Sequence, residues 1–185
     1  MHDPDAEDVA KAGRGDRDAA ARLIARHGAK LLTVAQRMLT NRAEAEDAVQ
    51  EVFLRLWTHA GRWRPGGAKF ETWLYRVTLN QCYDRLRRRP TRPLEEAAEL
   101  ADDTALPGAR LSEKQIGREI ANALETLPER QKAAILLCHF QECGNIEAAE
   151  IMGLSVEALE SLLARGRRAL RARLQHLKDF AGDGR

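Results

Sequence analysis

Between Pro90 and Arg110 the chain cannot continue the helices encoded on either side of it. Pro90, Pro93, Pro107 and Gly108 interrupt a regular backbone, and Glu95, Glu96, Glu99, Asp102 and Asp103 follow one another with no base among them. Helix breakers, like charge and little apolar surface leave nothing to offset the entropy of ordering. A flexible acidic linker is expected there. It splits the 185 residues into two units, 1–89 and 112–185, joined by residues 90–111, and each unit is long enough for one small core.

Outside the linker, apolar residues recur at steps of three and four, and no run alternates with period two for long enough to form a strand. The expected fold is all-α: two small helical domains on a flexible acidic linker. Asp3 and Pro4 supply an N-cap and an N1 proline for a short first helix that Gly13 can end at its C′ position. Leu23, Ile24, His27, Leu31, Val34, Ala35 and Met38 then mark an amphipathic helix from about Asp16 to Leu39. Asn41 with Glu44 resembles a capping box for the next helix, whose apolar stripe is Ala45, Ala48, Val49, Val52, Phe53, Leu56 and Trp57. Gly61 to Gly67 breaks the pattern. Helicity resumes near Glu71, with Trp73, Leu74, Val77 and Leu86 on one side, and stops before Pro90. After the linker, Ser112 can cap a helix carrying Ile116, Ile120, Ala123 and Leu124. Pro128 stands where N1 of another helix would be, and that helix runs to about Gln141. Two helices remain, from about Asn145 to Met152 and from Val156 onward.

The formal net charge of +2 says nothing by itself about nucleic acid, but its distribution does. Arg85, Arg87, Arg88 and Arg89 end the first half, and Arg165, Arg167, Arg168, Arg171 and Arg173 lie near the C-terminus. The second cluster follows Ala149, Gly153 and Leu159, which meet the needs of a helix-turn-helix. Those needs are a small residue where the helices cross, a glycine for positive φ in the turn, and an apolar residue docking the second helix. Ser155, Glu157, Ala158, Glu160, Ser161, Ala164, Arg165 and Arg168 would then face outward, the first turns entering a major groove and the later arginines reaching phosphates. The bland reading is an ordinary turn between packed helices with a solvated basic face. The run from Arg165 to Leu174 favours the phosphate backbone.

Two separate segments resemble one family. Ala45 to Trp57, AEDAVQEVFLRLW, looks like the polymerase-binding segment of extracytoplasmic-function sigma factors. Leu127-Pro128-Glu129-Arg130-Gln131, with the helix-turn-helix and Ala164 to Leu170, looks like their C-terminal promoter-reading domain. Between them, Phe70 to Val77 is similar to the segment that leads into the family's DNA-melting helix, and the matches fall in the family's order. The resemblance implies a transcription initiation factor with core RNA polymerase and promoter DNA as partners, an anti-sigma factor that occludes its surfaces, and a stress-response regulon. It implies that Asp47, Gln50, Glu51, Leu54 and Trp57 dock the clamp-helix coiled coil of the largest polymerase subunit. Their spacing places them on neighbouring turns. Core packing is the competing role for Phe53 and Trp57. Recognition of the minus-ten element is implied for Arg62, Trp63, Arg64 and Lys69 in a basic loop, and for Asn80, Tyr83, Asp84, Arg85 and Arg88 in the next helix. Stacking of an unpaired base suits Trp63, and packing beneath the loop is its alternative. The chain departs from the family in carrying Leu159-Glu160-Ser161-Leu162 where Val-Lys/Arg-Ser-Arg is common, and Glu142-Cys143-Gly144 where Gly-Leu-Ser is common. Glutamate can accept from cytosine N4, so the minus-thirty-five sequence cannot be borrowed. Glycine is a weaker cap than serine, which leaves the start of the Asn145 helix prone to fraying.

Other chemistries find little support. Cys82, Cys138 and Cys143 are odd in number, and no basic segment and apolar run open the chain, so reduced thiols in a cytoplasmic protein are expected. No apolar window is long enough for membrane insertion. On one continuous helix, positions 138 and 143 point about 140° apart, which argues against a shared metal or a redox pair. No phosphate-cradling glycine loop, paired histidines or nucleophile elbow suggests an enzyme, and neither cofactor nor metal is expected. The alternative function is a stand-alone helix-turn-helix regulator that binds a palindromic operator as a dimer.

Overall fold

The computed structural model describes residues 3–60, 68–88 and 113–177 of the chain. Helices account for most of them, and no strand occurs among the described residues. The first half holds α1 (Ala6–Ala12), α2 (Arg17–Leu39), α3 (Arg42–His59) and α4 (Phe70–Arg88). The second holds α5 (Glu113–Glu125), α6 (Glu129–Ile135), a π-helical turn (Leu136–Phe140), α7 (Asn145–Met152) and α8 (Val156–Arg173). The expected Ser112 cap and the linker lie outside the described residues.

In the first half α2 is the central element, packing on α1, α3 and α4. Asp16 starts it by accepting from the N–H groups of Asp18 and Ala19, each at 3.0 Å. Its buried stripe is Leu23, His27, Leu31, Val34, Ala35 and Met38. Thr40 ends it in the left-handed region at φ 63°, and Asn41 at once caps α3 by accepting from Glu44 N at 3.1 Å. The start of α4 is tied to the N-terminus, because Phe70 N donates to Asp3 Oδ2 at 2.6 Å. Buried His27 lies 2.8 Å from buried Asp5, which also pairs with Arg26. A charge taken out of water must be matched in this way.

Several boundaries differ from expectation. Asp3 and Pro4 form a turn before α1, whose N-cap is Asp5, because Asp3 serves Asp5 N and Phe70 N. Gly13 closes α1 in the right-handed region, and positive φ falls on Gly15. Pro128 is the N-cap of α6, one residue before N1. Ile24 does not join the core but stands 45% exposed.

The halves are docked on each other. The end of α2 meets α5, α6 and the π turn, while α4 lies along α7. Lys132, buried, points its ammonium at the Met38 carbonyl at 3.4 Å, where the α2 dipole is negative. The Arg37 guanidinium sits 3.8 Å above the Phe140 ring, and burial lowers its pKa. Tyr75 donates through its hydroxyl to Gln141 Oε1 at 2.9 Å, and Arg76 donates to the Glu150 carbonyl. One buried cluster runs through both halves.

Candidate nucleic-acid and protein interfaces

The helix-turn-helix consists of α7 and α8. Ala148, Ala149 and Ile151 bury the inner face of α7. Gly153 then takes φ 64°, which lets Leu154 N donate back to the Ala149 carbonyl at 2.9 Å. Ser155 starts α8 by accepting from Ala158 N at 3.2 Å. Leu159, Leu163 and Gly166, at steps of four and three, form the buried stripe of α8. Gly166 lets α6 approach closely, since a Cβ there would lie 3.1 Å from Ile135 Cγ1. Gly144 begins α7 without a side-chain cap.

This packing turns the other face of α8 outward. Ser155, Glu157, Ala158, Glu160, Ser161, Ala164, Arg165 and Arg168 are all exposed, as the helical period requires. Arg165 Nε donates to the Ser161 carbonyl at 3.2 Å, and Arg167 Nε donates to His139 Nε2 at 3.1 Å. The Glu157 carboxyl is held below its usual range by its own backbone N–H and by the Ser155 hydroxyl. Glu160 accepts from Asn145 Nδ2, across the turn, at 3.2 Å. The sequence pattern marks Asn145 only as the start of α7 and does not reveal this contact with Glu160.

The residues expected to read the minus-ten element are divided. Asn80 and Arg88 are exposed on α4. Arg85 is half-buried and donates to Gln81 Oε1 at 2.6 Å. Tyr83 is half-buried, its hydroxyl without a hydrogen-bond partner among the described residues, and burial pushes that hydroxyl up to about 12. Arg130, at the start of α6, acts on it in the opposite direction. Lys69 lies 4.0 Å from Glu147 of α7. Arg62, Trp63 and Arg64 lie outside the described residues.

On α3, Asp47, Gln50, Leu54 and Trp57 form one exposed stripe, with Glu51 beside it and paired to Arg55 at 3.2 Å. Leu54 is 59% and Trp57 46% exposed, so the indole is a surface group and not part of the core, whereas Phe53 is half-buried. Ile24 extends this apolar patch onto α2. Its Cγ2 and the Phe53 ring both lie 3.9 Å from where a Gly28 Cβ would be.

The cysteine geometry differs from expectation. The helix ends at Phe140, Gln141 N donates to Leu136 O at 3.1 Å, and Cys143 N donates to Leu137 O at 3.0 Å. The angle between positions 138 and 143 therefore no longer follows from one helix. The thiols are close enough that Cys138 adds to the rise of Cys143, which burial pushes up to about 12. Burial raises Cys138 as well. Both are only half-buried, while Cys82 is fully buried. Among the described residues no group of metal ligands assembles, and no helix is long and apolar enough to cross a membrane.

Residues 23–91 match the family Sigma-70 region 2, and residues 117–170 match Sigma-70, region 4. The ECF RNA polymerase sigma factor SigW of Bacillus subtilis is 30% identical over 175 residues, covering 89% of this chain and 93% of the relative. The chain belongs to the ECF RNA polymerase sigma factors. A second relative of this sigma factor, SigM of Mycobacterium tuberculosis, is 33% identical over 183 residues, covering 97% and 87% of the two chains. Among solved structures, CnrH in complex with the cytosolic domain of CnrY is 29% identical with a TM-score of 0.72, covering 94% of the sigma factor and 99% of CnrH. The sigma factor RpoE of Bartonella quintana, solved with the anti-sigma factor NepR, has a TM-score of 0.65 at 22% identity, which speaks for the fold. It covers 84% of this chain and 96% of that one.

Proposed function

We propose that this sigma factor divides promoter-directed initiation between its halves. Residues 1–89 dock core RNA polymerase through Asp47, Gln50, Glu51, Leu54 and Trp57 and read the minus-ten element through Asn80, Tyr83, Arg85, Arg88, Lys69 and the loop with Arg62, Trp63 and Arg64. Residues 112–185 read the minus-thirty-five element through the outer face of α8, and residues 90–111 join the two. The observation that carries this reading is that two dissimilar exposed faces, one acidic and apolar on α3, one backed by arginines on α8, belong to a single chain. Dissimilar faces suit two dissimilar targets, whereas a symmetric operator needs two copies of one face.

The protein is a non-enzymatic initiation factor acting in the cytoplasm. CnrH and the Bartonella RpoE were solved with CnrY and NepR bound, which supports an anti-sigma partner here. A stress-response regulon fits that control. A gel shift with promoter duplex tests the reading: a specific complex should form with core polymerase plus this chain, and only weak binding with the chain alone. Tight, palindrome-specific binding by the chain alone, as a dimer, would contradict it.

A further inference from the structure

The acids on the recognition face need explaining, because a carboxylate near DNA is repelled by phosphate. Glu160 differs from the flanking exposed groups in being fixed from outside its own helix. Asn145 Nδ2 of α7 donates to Glu160 Oε1 at 3.2 Å, and both residues are exposed. The bond spans the turn whose geometry Gly153 and Ser155 set. One side-chain amide therefore orders the carboxylate before any ligand arrives, and a carboxylate has about four lone-pair sites, most of which this bond leaves to an outside donor.

Edges in the major groove differ in what they offer such a group. Cytosine presents only its N4 amino donor; adenine presents an N6 donor beside the N7 acceptor; guanine and thymine present acceptors. An ordered carboxylate is thus drawn to cytosine, tolerates adenine poorly and is repelled by guanine and thymine. Arginines 165 and 168, one and two turns further along α8, offset its repulsion from the backbone.

We propose that Glu160, held by Asn145, reads a cytosine in the major groove of the upstream promoter element and selects against guanine and thymine there. The inference rests on the reading that α8 contacts that element within the holoenzyme. Asn145 acts as a positioning residue.

The test uses core polymerase with the full chain on a promoter found by mapping its start sites, each upstream position being varied through the four bases. Wild type should favour cytosine at one position by roughly tenfold. Glu160→Ala should level the four bases at that position and leave the others unchanged. Glu160→Gln should move the preference toward adenine, whose N6 and N7 match a carboxamide. Asn145→Ala should keep the cytosine preference but weaken it, with circular dichroism unchanged. A Glu160→Ala variant that binds every sequence more tightly by the same factor would overturn the proposal, showing the carboxylate to be a repulsive bystander. An unchanged base profile would overturn it equally. If wild-type holoenzyme selects no upstream element at all, the promoter-reading function fails as well, which separates the two failures.

Discussion

Arg165 and Arg168 show what a single exposed cation contributes on α8. Each phosphate neutralised releases condensed counterions and adds about 0.9 to the slope of log affinity against log salt. Replacing both by alanine should flatten the slope for the holoenzyme on a minus-thirty-five duplex by roughly two units, measured by titration at several salt concentrations. An unchanged slope would place them on the solvated side. Cys82 gives a pH prediction. It is fully buried, and burial pushes its thiol from 9.0 up to about 12. Its contribution to stability is complete below pH 9 and is lost as pH climbs from 9 toward 12, because the unfolded thiol ionises first. Melting temperature should fall over that window less in Cys82→Ser than in wild type. The thiolate is the reactive form, so all three raised thiols should also resist alkylation at pH 8. Exposure on α8 was legible at this scale, since period 3.6 decides it. The Cys138 and Cys143 relation was not, because it turned on where a helix stops.

Among the elements, the crossing of α6 and α8 depends on Gly166. A Cβ there already comes within 3.1 Å of Ile135, so Gly166→Val should overfill the contact and destabilise the chain by about 1–3 kcal/mol in urea unfolding. A neutral result would mean that the crossing can slide. The helix-turn-helix could be read from the sequence because each of its requirements is local: Gly153 supplies positive φ, Ser155 the cap, and Ala149 and Leu159 the packed pair. The π turn from Leu136 to Phe140 could not. Its residues are ordinary helix formers, and the wide turn closes through Gln141 N on Leu136 O and ends with Glu142 at φ 55°. No periodicity encodes that insertion. The break at Pro128 was visible and its register was off by one, as helix ends commonly are.

At the scale of the whole molecule, the sequence separates two halves but does not reveal that they dock. Tyr75 with Gln141 and Met38 with Lys132 are 66 and 94 residues apart, and lysine, glutamine and arginine read as solvent-facing until a partner is known. The closed arrangement also places Tyr83 under the influence of Arg130. Promoter elements named minus ten and minus thirty-five lie about 25 base pairs apart, roughly 85 Å at 3.4 Å per step, while a compact chain of this length has a radius of gyration of about 16 Å. If each half reads one element, as proposed, the docked halves have to part to reach both. Arg37→Ala with Tyr75→Phe should loosen the docking and raise the radius of gyration seen by small-angle X-ray scattering, with helicity retained; an unchanged radius would show that these contacts do not hold the closed form. The proposed docking of core polymerase rests on the α3 stripe. The most direct test is transcription in vitro by core polymerase with wild type or with Asp47→Ala, Gln50→Ala, whose exposed positions should cost no more than about 0.5 kcal/mol in folding. Wild type should give discrete start sites and the folded double variant none, together with loss of polymerase capture. Undiminished capture and transcription by the double variant would contradict it.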